Sequence, residues 1–506
     1  METYRRVLSA LVGALVLGAS FSPAGAFIPD QRWNRTSFGS TGQPGDPMTL
    51  SWSIVRDGTF IPDQGVGSNL VSFLDGLFGG GPGGNDFTLR PWFRFFNESF
   101  ARWGALGGIS YVYEPNDDGT QHGLLSGQTN LRGDVRIGGA PIDGVGNVLA
   151  YNQLPPGGDM VLDTGDGAFF SNAIGDYRRF RNTIMHEHGH GIGLQHVESN
   201  TDALLMEPFI NNGIDGPQLD EVRGVHYFYG DAHEKAEGGQ GNDVPERATP
   251  LGTLVPDVLV SIGVGAAGVS QAISPAEIDF VSIDRITDVD YYRFRVDDAS
   301  WLDVTLTPRG GVFNQTAQGG TPTEFDANAR VKLVLEILAA EGAAVLQRAD
   351  AAPIGQAETI VQLGLGQPGD YLVKITGLND SVQLYQLDLR IDPQLQFEPA
   401  DFNRDGQVDA ADLQAWSVAT WDSADADADG NGRSDGLDLL AWQRGFGAGS
   451  SSALSGSPVP EPRALALLAL ALVSLAAWRP RSTPQKPQAG PHAHDHAATW
   501  SAATWS

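Results

Sequence analysis

The segment from His186 to His196 constrains this chain more than any other part of its sequence. It reads HEHGHGIGLQH, so three histidines and one glutamate follow the pattern HExxHxxGxxH. On a helix, His186 and His190 lie one turn apart on the same face, and Glu187 lies beside them. We expect Gly193 to end the helix with a positive φ, so that the returning chain brings His196 close to the other two histidines.

Three neutral imidazoles at this spacing are typical of a catalytic zinc site, because they leave the fourth tetrahedral position for water. The pattern predicts His186, His190 and His196 as ligands of one zinc ion, and Glu187 as the general base that deprotonates the water. The alternative is an ordinary helix that carries histidines by coincidence. His188 lies on the opposite helix face, where we expect it to contact solvent or to support the ligands without binding the metal.

The surrounding residues resemble the metzincin metallopeptidases and, within them, the matrixins. Met206 lies in the segment ALLMEP, which is similar to the matrixin Met-turn, and 218–230 resembles the terminal matrixin helix with its closing Tyr-Gly. Upstream, 143–151 and 157–166 are similar to the loop and strand that line the matrixin cleft. The resemblance implies an α+β (α/β/α) catalytic domain over 47–232, in which Met206 forms a hydrophobic floor beneath the metal.

The resemblance also implies hydrolysis of peptide bonds in an extended substrate. Such a substrate would pair with the edge strand around 148–153, and the turn after Met206 would form a wall of the S1′ pocket. The implied substrate-binding residues are Val148, Leu149, Ala150, Tyr151, Pro208 and Phe209.

Departures from the matrixin pattern concern the structural metals. The loop between Asp134 and Asp143 has no histidine, and Tyr151 and Val161 occupy the places of two further ligands, so we expect no structural zinc. The positions that match the calcium ligands of matrixins keep oxygen-bearing side chains, which suit calcium. The alternative is that these carboxylates bind no ion and simply face solvent. The positions are Asp143, Asp163 and Asp166.

The chain contains no cysteine, which excludes disulfides and thiolate metal ligands. The matrixin latency device, a prodomain cysteine that caps the zinc, therefore cannot operate here. We expect either an enzyme without latency or one blocked by the N-terminal segment 27–46. Asp30 or Asp46 of that segment could reach the zinc as an oxygen ligand.

Length, charge and the N-terminus indicate an exported protein of several domains. A chain of 506 residues with 41% hydrophobic residues predicts about three packed domains. The net charge of −29 argues against nucleic acid or an anionic membrane as a partner. Arg5 and Arg6 precede an apolar run that ends in Ala24-Gly25-Ala26, which predicts a secretory signal peptide over 1–26.

The middle of the chain changes character after the peptidase-like region. Residues 233–256 are polar and glycine-rich and predict a linker. From 257 to 394, short runs of alternating apolar and polar residues predict an all-β sandwich. The runs DVDYY at 288–292 and GDYLV at 369–373 resemble the bacterial pre-peptidase C-terminal domain, which implies a role in attachment, spacing or secretion. An inert spacer is the alternative.

Two calcium-type loops occupy 395–448, and each precedes a short amphipathic helix. Their oxygen ligands follow the EF-hand positions, with glycine at the sixth position, where the loop must bend sharply, and aspartate at the last position. The doubled loop-helix unit resembles the dockerin type I repeat, which implies two calcium ions and a cohesin-like partner; a calcium-stiffened spacer is the alternative. The first loop uses Asp401, Asn403, Asp405, Gln407, Asp409 and Asp412, and the second uses Asp427, Asp429, Asn431, Arg433, Asp435 and Asp438.

The C-terminus resembles a PEP-CTERM sorting signal. After a linker at 449–458, the segment 459–481 contains Val-Pro-Glu-Pro, an apolar run and Arg-Pro-Arg, and a tail predicted to be disordered covers 482–506. The resemblance implies exosortase-type processing, transient membrane anchoring through the apolar helix, and export to the surface or extracellular matrix of a Gram-negative bacterium. A plain membrane anchor is the alternative.

Together these features predict a secreted or surface-directed zinc endopeptidase, either of general specificity or acting narrowly on co-exported proteins. The competing hypothesis is a calcium-stabilised surface binding or scaffold protein with an inactive metzincin domain.

Overall fold

The computed structural model describes residues 27–447 with gaps at 124–125, 202, 267–271, 340–343 and 393–397. All of them lie in one compact unit, Met1–Gly447. The predicted signal peptide, the 449–458 linker, the sorting signal and the C-terminal tail lie outside the described residues. Within the described ranges, no helix is long and apolar enough to cross a membrane.

The N-terminal region is built from short strands and helices. Its strands among the described residues are β1 (Arg35–Thr36), β2 (Gly39–Ser40), β3 (Met48–Ile54), β4 (Phe60–Ile61), β5 (Val66–Gly67), β6 (Ile109–Tyr113), β7 (Val135–Ala140), β8 (Ala150–Asn152), β9 (Met160–Asp163) and β10 (Val197–Ser199). Its helices are α1 (Leu70–Phe78), α2 (Phe93–Leu106), α3 (Gly167–Phe170), α4 (Arg178–Gly191), α5 (Leu219–Tyr229) and the kinked α6 (Ala236–Gly239).

A five-stranded sheet of order β6-β3-β7-β9-β8 organises this region. The first four strands are parallel, whereas β8 pairs antiparallel with β9 and forms the edge. Every residue of β7 and β9 is buried, as expected for central strands covered on both faces. Helix α2 buries Phe96, Phe100 and Trp103 at helical spacing, and Phe100 stacks on Trp52 of β3 at 4.8 Å between ring centroids. This core supports α4, which carries the HExxH residues.

The region after 248 is β-rich, as predicted for 257–394. Its strands among the described residues are β11 (Thr249–Thr253), β12 (Val260–Ile262), β13 (Val281–Ile283), β14 (Val289–Val296), β15 (Ser300–Arg309), β16 (Val312–Ala317), β17 (Thr323–Asp326), β18 (Leu333–Ala339), β19 (Val345–Ala349), β20 (Glu358–Leu365), β21 (Gly369–Gly377) and β22 (Gln383–Asp392).

Two five-stranded sheets form this β-rich region and enclose one core. One has the order β11-β14-β21-β18-β19, and the other has the order β12-β22-β15-β20 with β13 also paired to β22. Alternate residues of β15 are buried, because only one face of that strand meets the core. Strand β11 lies within the stretch predicted to be a linker, and it pairs in parallel with β14.

The two sheets form a sandwich that directly contacts the N-terminal region, β1–β10 and α1–α6, which is called the peptidase-like region below. Leu219 and Val222 of α5 share a buried cluster with Phe280 and Leu384 of the sandwich. A three-stranded sheet of order β10-β16-β17 also crosses from one region to the other. The sandwich is therefore joined to the peptidase-like region by a core and a sheet.

The last described elements are α7 (Ala410–Val418) and α8 (Gly436–Gly445), one after each calcium-type loop. Both begin with a capping box, formed by the last acidic residue of the loop and the aspartate three positions before it. The two halves are linked reciprocally, because the Trp416 indole donates to the Asp435 carbonyl at 3.0 Å and the Trp442 indole donates to the Asp409 carbonyl at 2.7 Å.

Candidate metal centre

Three imidazoles converge at the end of α4. His186 and His190 project from the helix, and the chain turns at Gly193, where φ is +105°, to bring His196 opposite them. The Nε2 atom of His196 lies 3.2 Å from His186 Nε2 and 3.1 Å from His190 Nε2. Tetrahedral zinc with Zn–N bonds of about 2.0–2.1 Å separates its ligand nitrogens by about 3.3 Å. The spacing of these three nitrogens therefore fits one zinc ion.

Hydrogen bonds on the other ring nitrogen fix how the helical ligands are protonated. His186 Nδ1 donates to the Leu205 carbonyl and His190 Nδ1 donates to the Leu194 carbonyl, each at 2.7 Å. Because a carbonyl can only accept, both rings carry their proton on Nδ1 and direct an Nε2 lone pair inward. Burial lowers the pKa of His186 to about 3 and that of His190 to about 4, so both rings are neutral near pH 7. Three Nε2 lone pairs that converge at this spacing are suited to bind one shared cation.

The third histidine has a hydrogen-bond partner of a different kind. His196 Nδ1 lies 2.9 Å from Oε1 of Gln318, in the sandwich. The same protonation follows for His196 when Nδ1 donates to that oxygen, which leaves its Nε2 lone pair for the metal.

Glu187 is buried next to His186, with 7% of its surface exposed. Burial raises the pKa of this carboxyl to about 8. A zinc ion beside it would oppose that effect by favouring the carboxylate. The group can therefore take up and release a proton near neutral pH, as a general base that later acts as an acid must.

Met206 packs against α4, where Gly189 leaves room for its side chain. A Cβ atom added at Gly189 of α4 would lie 2.4 Å from Met206 Sδ. The Met206 amide donates to Glu221 Oε1 of α5 at 3.0 Å, and its carbonyl accepts from the Val197 amide at 3.0 Å. The segment after the third histidine and the terminal helix thus hold Met206 in place from two sides.

The family comparison agrees with this geometry. Residues 131–230 match the family model described as Matrixin. A matrixin-like metallopeptidase domain is supported. This match contains all three histidines, Glu187 and Met206.

Known metalloproteinases are similar over the same region. The chain is 26% identical over 166 residues to Metalloendoproteinase 5-MMP of Arabidopsis thaliana. That alignment covers 29% of this chain and 41% of that protein. It is 32% identical over 122 residues to human Matrix metalloproteinase-15, in an alignment that covers 23% of this chain and 17% of that protein. Similarity to the Hatching enzyme of Paracentrotus lividus is 28% over 134 residues, covering 26% of this chain and 21% of that protein. The chain thus spans less than half the length of each relative.

Similarity of the sandwich to solved structures is weak. The pre-peptidase C-terminal domain of a Bacillus anthracis collagenase aligns at 12% identity with a TM-score of 0.17, covering 28% of this chain and 94% of that one. The periplasmic lysozyme inhibitor PliG of Aeromonas hydrophila aligns at 10% identity with a TM-score of 0.16, covering 29% of this chain and 99% of that one. Likenesses at this level carry no argument about function.

The residues predicted to bind substrate lie on different elements of the chain. Ala150 and Tyr151 belong to edge strand β8, and Val148 and Leu149 precede it. Tyr151 is half-buried against Val161 in a small apolar cluster. Phe209, directly after Pro208, exposes 86% of its surface, far more than a residue held in the core.

Two of the three carboxylates predicted to bind a structural calcium accept hydrogen bonds from the loop that carries the third, although the three are not among the described groups whose oxygens converge within 4.8 Å. Asp163 accepts hydrogen bonds from the Ile142 and Asp143 amides, and Asp166 Oδ1 accepts one from the Gly146 amide at 2.8 Å. Asp166 Oδ2 is buried without a hydrogen-bond partner. Burial, with the charges of Asp163 and Asp143, raises the pKa of Asp166. A buried oxygen among like charges fits a cation site.

The C-terminal loops also bring some of their predicted oxygen ligands together. In the second loop, Asp427, Asp429 and Asp438 each offer an oxygen within 4.8 Å of the others. In the first loop, Asp401 accepts from the Asp405 and Gly406 amides, and Asp412 accepts from the Asn403 amide. Both loops thus fold around their first and last acidic residues.

One further carboxylate group was not predicted. Glu234, Asp288 and Asp290 are all buried, and an oxygen of each lies within 4.8 Å of the others. Oδ1 atoms of Asp288, Asp290 and the neighbouring Asn242 are buried without hydrogen-bond partners. Burial raises the pKa of Glu234 to about 10 and raises those of both aspartates well above their usual range. This oxygen-only group lies where the peptidase-like region meets β14, and it could hold a calcium ion.

The sequence contains a signal for this group. Asp290 lies on the inward face of β14, in line with buried Tyr292, Phe294 and Val296. A carboxylate at an inward strand position is rare unless it is paired or binds a metal.

Three expectations near the centre need correction. His188 does not contact solvent: it is 1% exposed, and its Nε2 lies 2.7 Å from the Tyr111 hydroxyl. Asp30 contacts the side chain of Gln195, and Asp46 pairs with Arg285 of the sandwich at 3.0 Å, so neither lies on the zinc ligands. Segment 27–46 instead joins the peptidase-like region, because backbone hydrogen bonds link Asp30 to Gly193 and Ile28 to Gln195.

Proposed function

We propose that this chain is a secreted, surface-directed zinc endopeptidase. The observation that carries the proposal is the convergence of three Nε2 lone pairs, from His186, His190 and His196, beside the buried carboxyl of Glu187. A structural zinc site would use a fourth protein ligand, whereas three histidines leave one position for water or substrate.

The chain's own residues would divide the reaction among them. Zinc bound there would supply a Lewis acid for the scissile carbonyl and the attacking water. Glu187 would accept one proton from that water as the oxygen bonds to the carbonyl carbon, and would pass it to the amine nitrogen as the C–N bond breaks. The three Nδ1 hydrogen bonds would keep the imidazoles oriented throughout.

An extended peptide would bind along β8. An edge strand offers unpaired backbone N–H and C=O groups on one side, to which a peptide can add as a further strand. Val148, Leu149, Ala150 and Tyr151 would face the peptide on one side of the cleft. Pro208 and Phe209 would form a wall of the S1′ pocket, and the exposed Phe209 ring would favour apolar side chains there.

Peptide cleavage and metal content test this proposal together. The full chain should bind about one zinc ion tightly and cleave a quenched-fluorescent peptide library, lose activity with a zinc chelator, and regain it when zinc is added. His186→Ala should lose both zinc and cleavage. A parent chain that binds no zinc and cleaves nothing would instead favour the calcium-stabilised scaffold with an inactive metzincin domain.

We also propose that calcium stabilises several parts of the molecule. The loops 401–412 and 427–438 would bind one ion each, and Asp143, Asp163 and Asp166 would bind another. The unpaired oxygens around Asp288 and Asp290 support a further ion at the junction with the sandwich. Calcium titration followed by calorimetry would count these ions.

Export and sorting complete the proposal. The 1–26 signal peptide would direct secretion, and 459–481 would anchor the chain transiently until an exosortase-type enzyme processes it. The loop-helix pair would bind a cohesin-like partner. Protein or peptide substrates, and neither nucleic acid nor an anionic membrane surface, fit the net charge of −29.

A further inference from the structure

A hairpin of the sandwich lies directly beside the third zinc ligand. Strand β10 begins at the residue after His196 and pairs antiparallel with β16, with Val197 opposite Ala317 and Ser199 opposite Gln315. Strand β17 pairs with the other side of β16. The sandwich thus adds a hairpin to the segment that leaves the metal centre.

The hairpin turn carries Gln318 to His196. The Gly320 amide donates to the Ala317 carbonyl at 2.9 Å, which closes a turn with Gln318 and Gly319 at its centre. Gly319 has a φ of +78°, a conformation that side chains disfavour. Gln318 Oε1 then lies 2.9 Å from His196 Nδ1, and the Gly319 amide donates to Glu198 Oε1 at 3.2 Å.

Contacts on both sides of the hairpin hold it in place. The Asn200 amide donates to the Asn314 carbonyl at 3.2 Å. The ring of Phe325 in β17 lies between the guanidinium groups of Arg223, at 4.7 Å, and Arg330, at 4.6 Å. Arg223 belongs to α5 of the peptidase-like region, so these contacts also span the two regions.

We propose that Gln318 is a positioning residue for His196, so that the sandwich completes the metal centre of the peptidase. The inference rests on the proposed zinc site. His186 and His190 receive this support from backbone carbonyls within their own region, whereas His196 receives it from a side chain 122 residues away. An acceptor on Nδ1 fixes the ring orientation and makes Nε2 a stronger ligand. A hairpin that moves away would leave His196 free to turn.

Zinc affinity of the full chain tests this inference without relying on cleavage. Gln318→Leu removes the acceptor at similar size and should weaken zinc binding by about 10–100-fold in competition with a chelator. Gln318→Glu keeps an acceptor and should retain the affinity of the parent. Gln347→Leu, on the exposed face of β19, is the matched control and should change nothing.

Two further measurements separate positioning from folding. The visible spectrum of the cobalt(II)-loaded Gln318→Leu chain should differ from that of the parent, while its melting temperature stays within the range of the Gln347→Leu control. Gly319→Ala strains the turn without touching the imidazole, and it should weaken zinc binding in the same direction.

The inference and the proposed function can fail separately. Unchanged zinc affinity and an unchanged cobalt spectrum in Gln318→Leu would overturn the role of Gln318, while a large loss of zinc in His196→Ala would still support the zinc site. Loss of affinity in both Gln318→Leu and Gln318→Glu would also overturn it, because the acceptor would then not be what matters.

Discussion

At the scale of single residues, the metal centre depends on groups whose protonation is set by their surroundings. The pKa of Glu187, raised to about 8 by burial, implies a protonated carboxyl at neutral pH when no cation is near. A zinc ion close to it would favour the ionised form and so prepare the base. Zinc binding to the histidines of α4 would then also convert the adjacent Glu187 to the carboxylate that accepts the proton.

Gly189 gives a residue-scale prediction about the floor of the site. Gly189→Ala places a Cβ 2.4 Å from Met206 Sδ, which must shift within a packed core, so the variant should lose about 1–3 kcal/mol of unfolding free energy. Gly76→Ala in α1 is the matched control, because nothing lies within 4 Å of the added Cβ.

Thermal and denaturant unfolding would measure both variants. Gly76→Ala should be neutral or should gain about 0.5–1 kcal/mol, since alanine stabilises a helix interior relative to glycine. Equal effects of the two substitutions would show that Met206 does not limit the space above Gly189.

The residues of the centre differ in how well the sequence predicts them. His186, His190 and Glu187 follow from helical periodicity, and His196 follows from one glycine turn, so local geometry places all four. Gln318 was not predicted, because its contact with His196 depends on how a distant domain docks. For His188, the helical position leaves open whether the ring contacts solvent or supports the ligands, because the position alone does not reveal that Tyr111 and Phe100 cover it.

At the scale of elements, each calcium-type loop is tied to the helix that follows. Asp438 accepts from the Ala428 and Asp429 amides with one oxygen and from the Asp435 amide with the other. It therefore closes the second loop and caps α8 at once. Asp412 does the same for the first loop and α7. Losing either side chain should affect loop and helix together.

Asp438→Ala should remove one calcium ion from the full chain in isothermal titration and should make 427–445 more susceptible to limited proteolysis. The reason is that a loop losing its last ligand also loses one half of the capping box at the start of its helix. Asp422→Ala is the matched control, because Asp422 is exposed and lies outside the loop. Unchanged calcium stoichiometry in Asp438→Ala would contradict a site in the second loop.

Elements were easier to predict than their pairing. The alternating runs of 257–394 predict strands, and β14 and β15 are found where alternation is clearest. The pairing of β10 with β16 and of β11 with β14 could not be predicted, because each joins segments far apart in sequence. Short strands such as β10 carry too few residues for a periodic signal.

At the scale of the whole molecule, the junction between the peptidase-like region and the sandwich is both packed and charged. Asp284 lies close to the Glu234, Asp288 and Asp290 group, and its amide donates to Asp288 Oδ2 at 2.7 Å. Tyr385 of β22 donates to Asp290 Oδ2 at 2.6 Å. The buried carboxyls come from both regions, so their charge state should control how firmly the regions hold together.

The raised pKa values of the buried carboxyls at this junction should make the free energy of unfolding depend on pH in an unusual way. Burial raises the pKa of Asp284 to about 7 and that of Glu234 to about 10, whereas unfolded carboxyls titrate near about 4. Between these values the folded chain holds protons that the unfolded chain releases. As far as these groups contribute, stability without calcium should therefore be greatest below about pH 4 and should fall as pH rises, up to about 7 for Asp284 and up to about 10 for Glu234. Calcium should flatten this fall by pairing with the ionised forms.

Calorimetry from pH 5 to 9, with and without calcium, would measure this effect. Asp290→Asn removes one of the buried charges and should make the calcium-free fall shallower and the calcium effect smaller. Asp297→Asn, just after β14 and largely exposed, is the matched control. A calcium effect as large in Asp290→Asn as in the parent would contradict a cation site at the junction.

If Glu187 is the general base of a zinc peptidase, Glu187→Gln should lose cleavage while it keeps its zinc, and both can be measured on the same full chain. Glutamine has a similar size but cannot accept the water proton, so we expect kcat to fall by at least about 10²-fold with zinc still bound at the parent level. Cleavage by Glu187→Gln at the parent rate, with zinc bound in both, would contradict it.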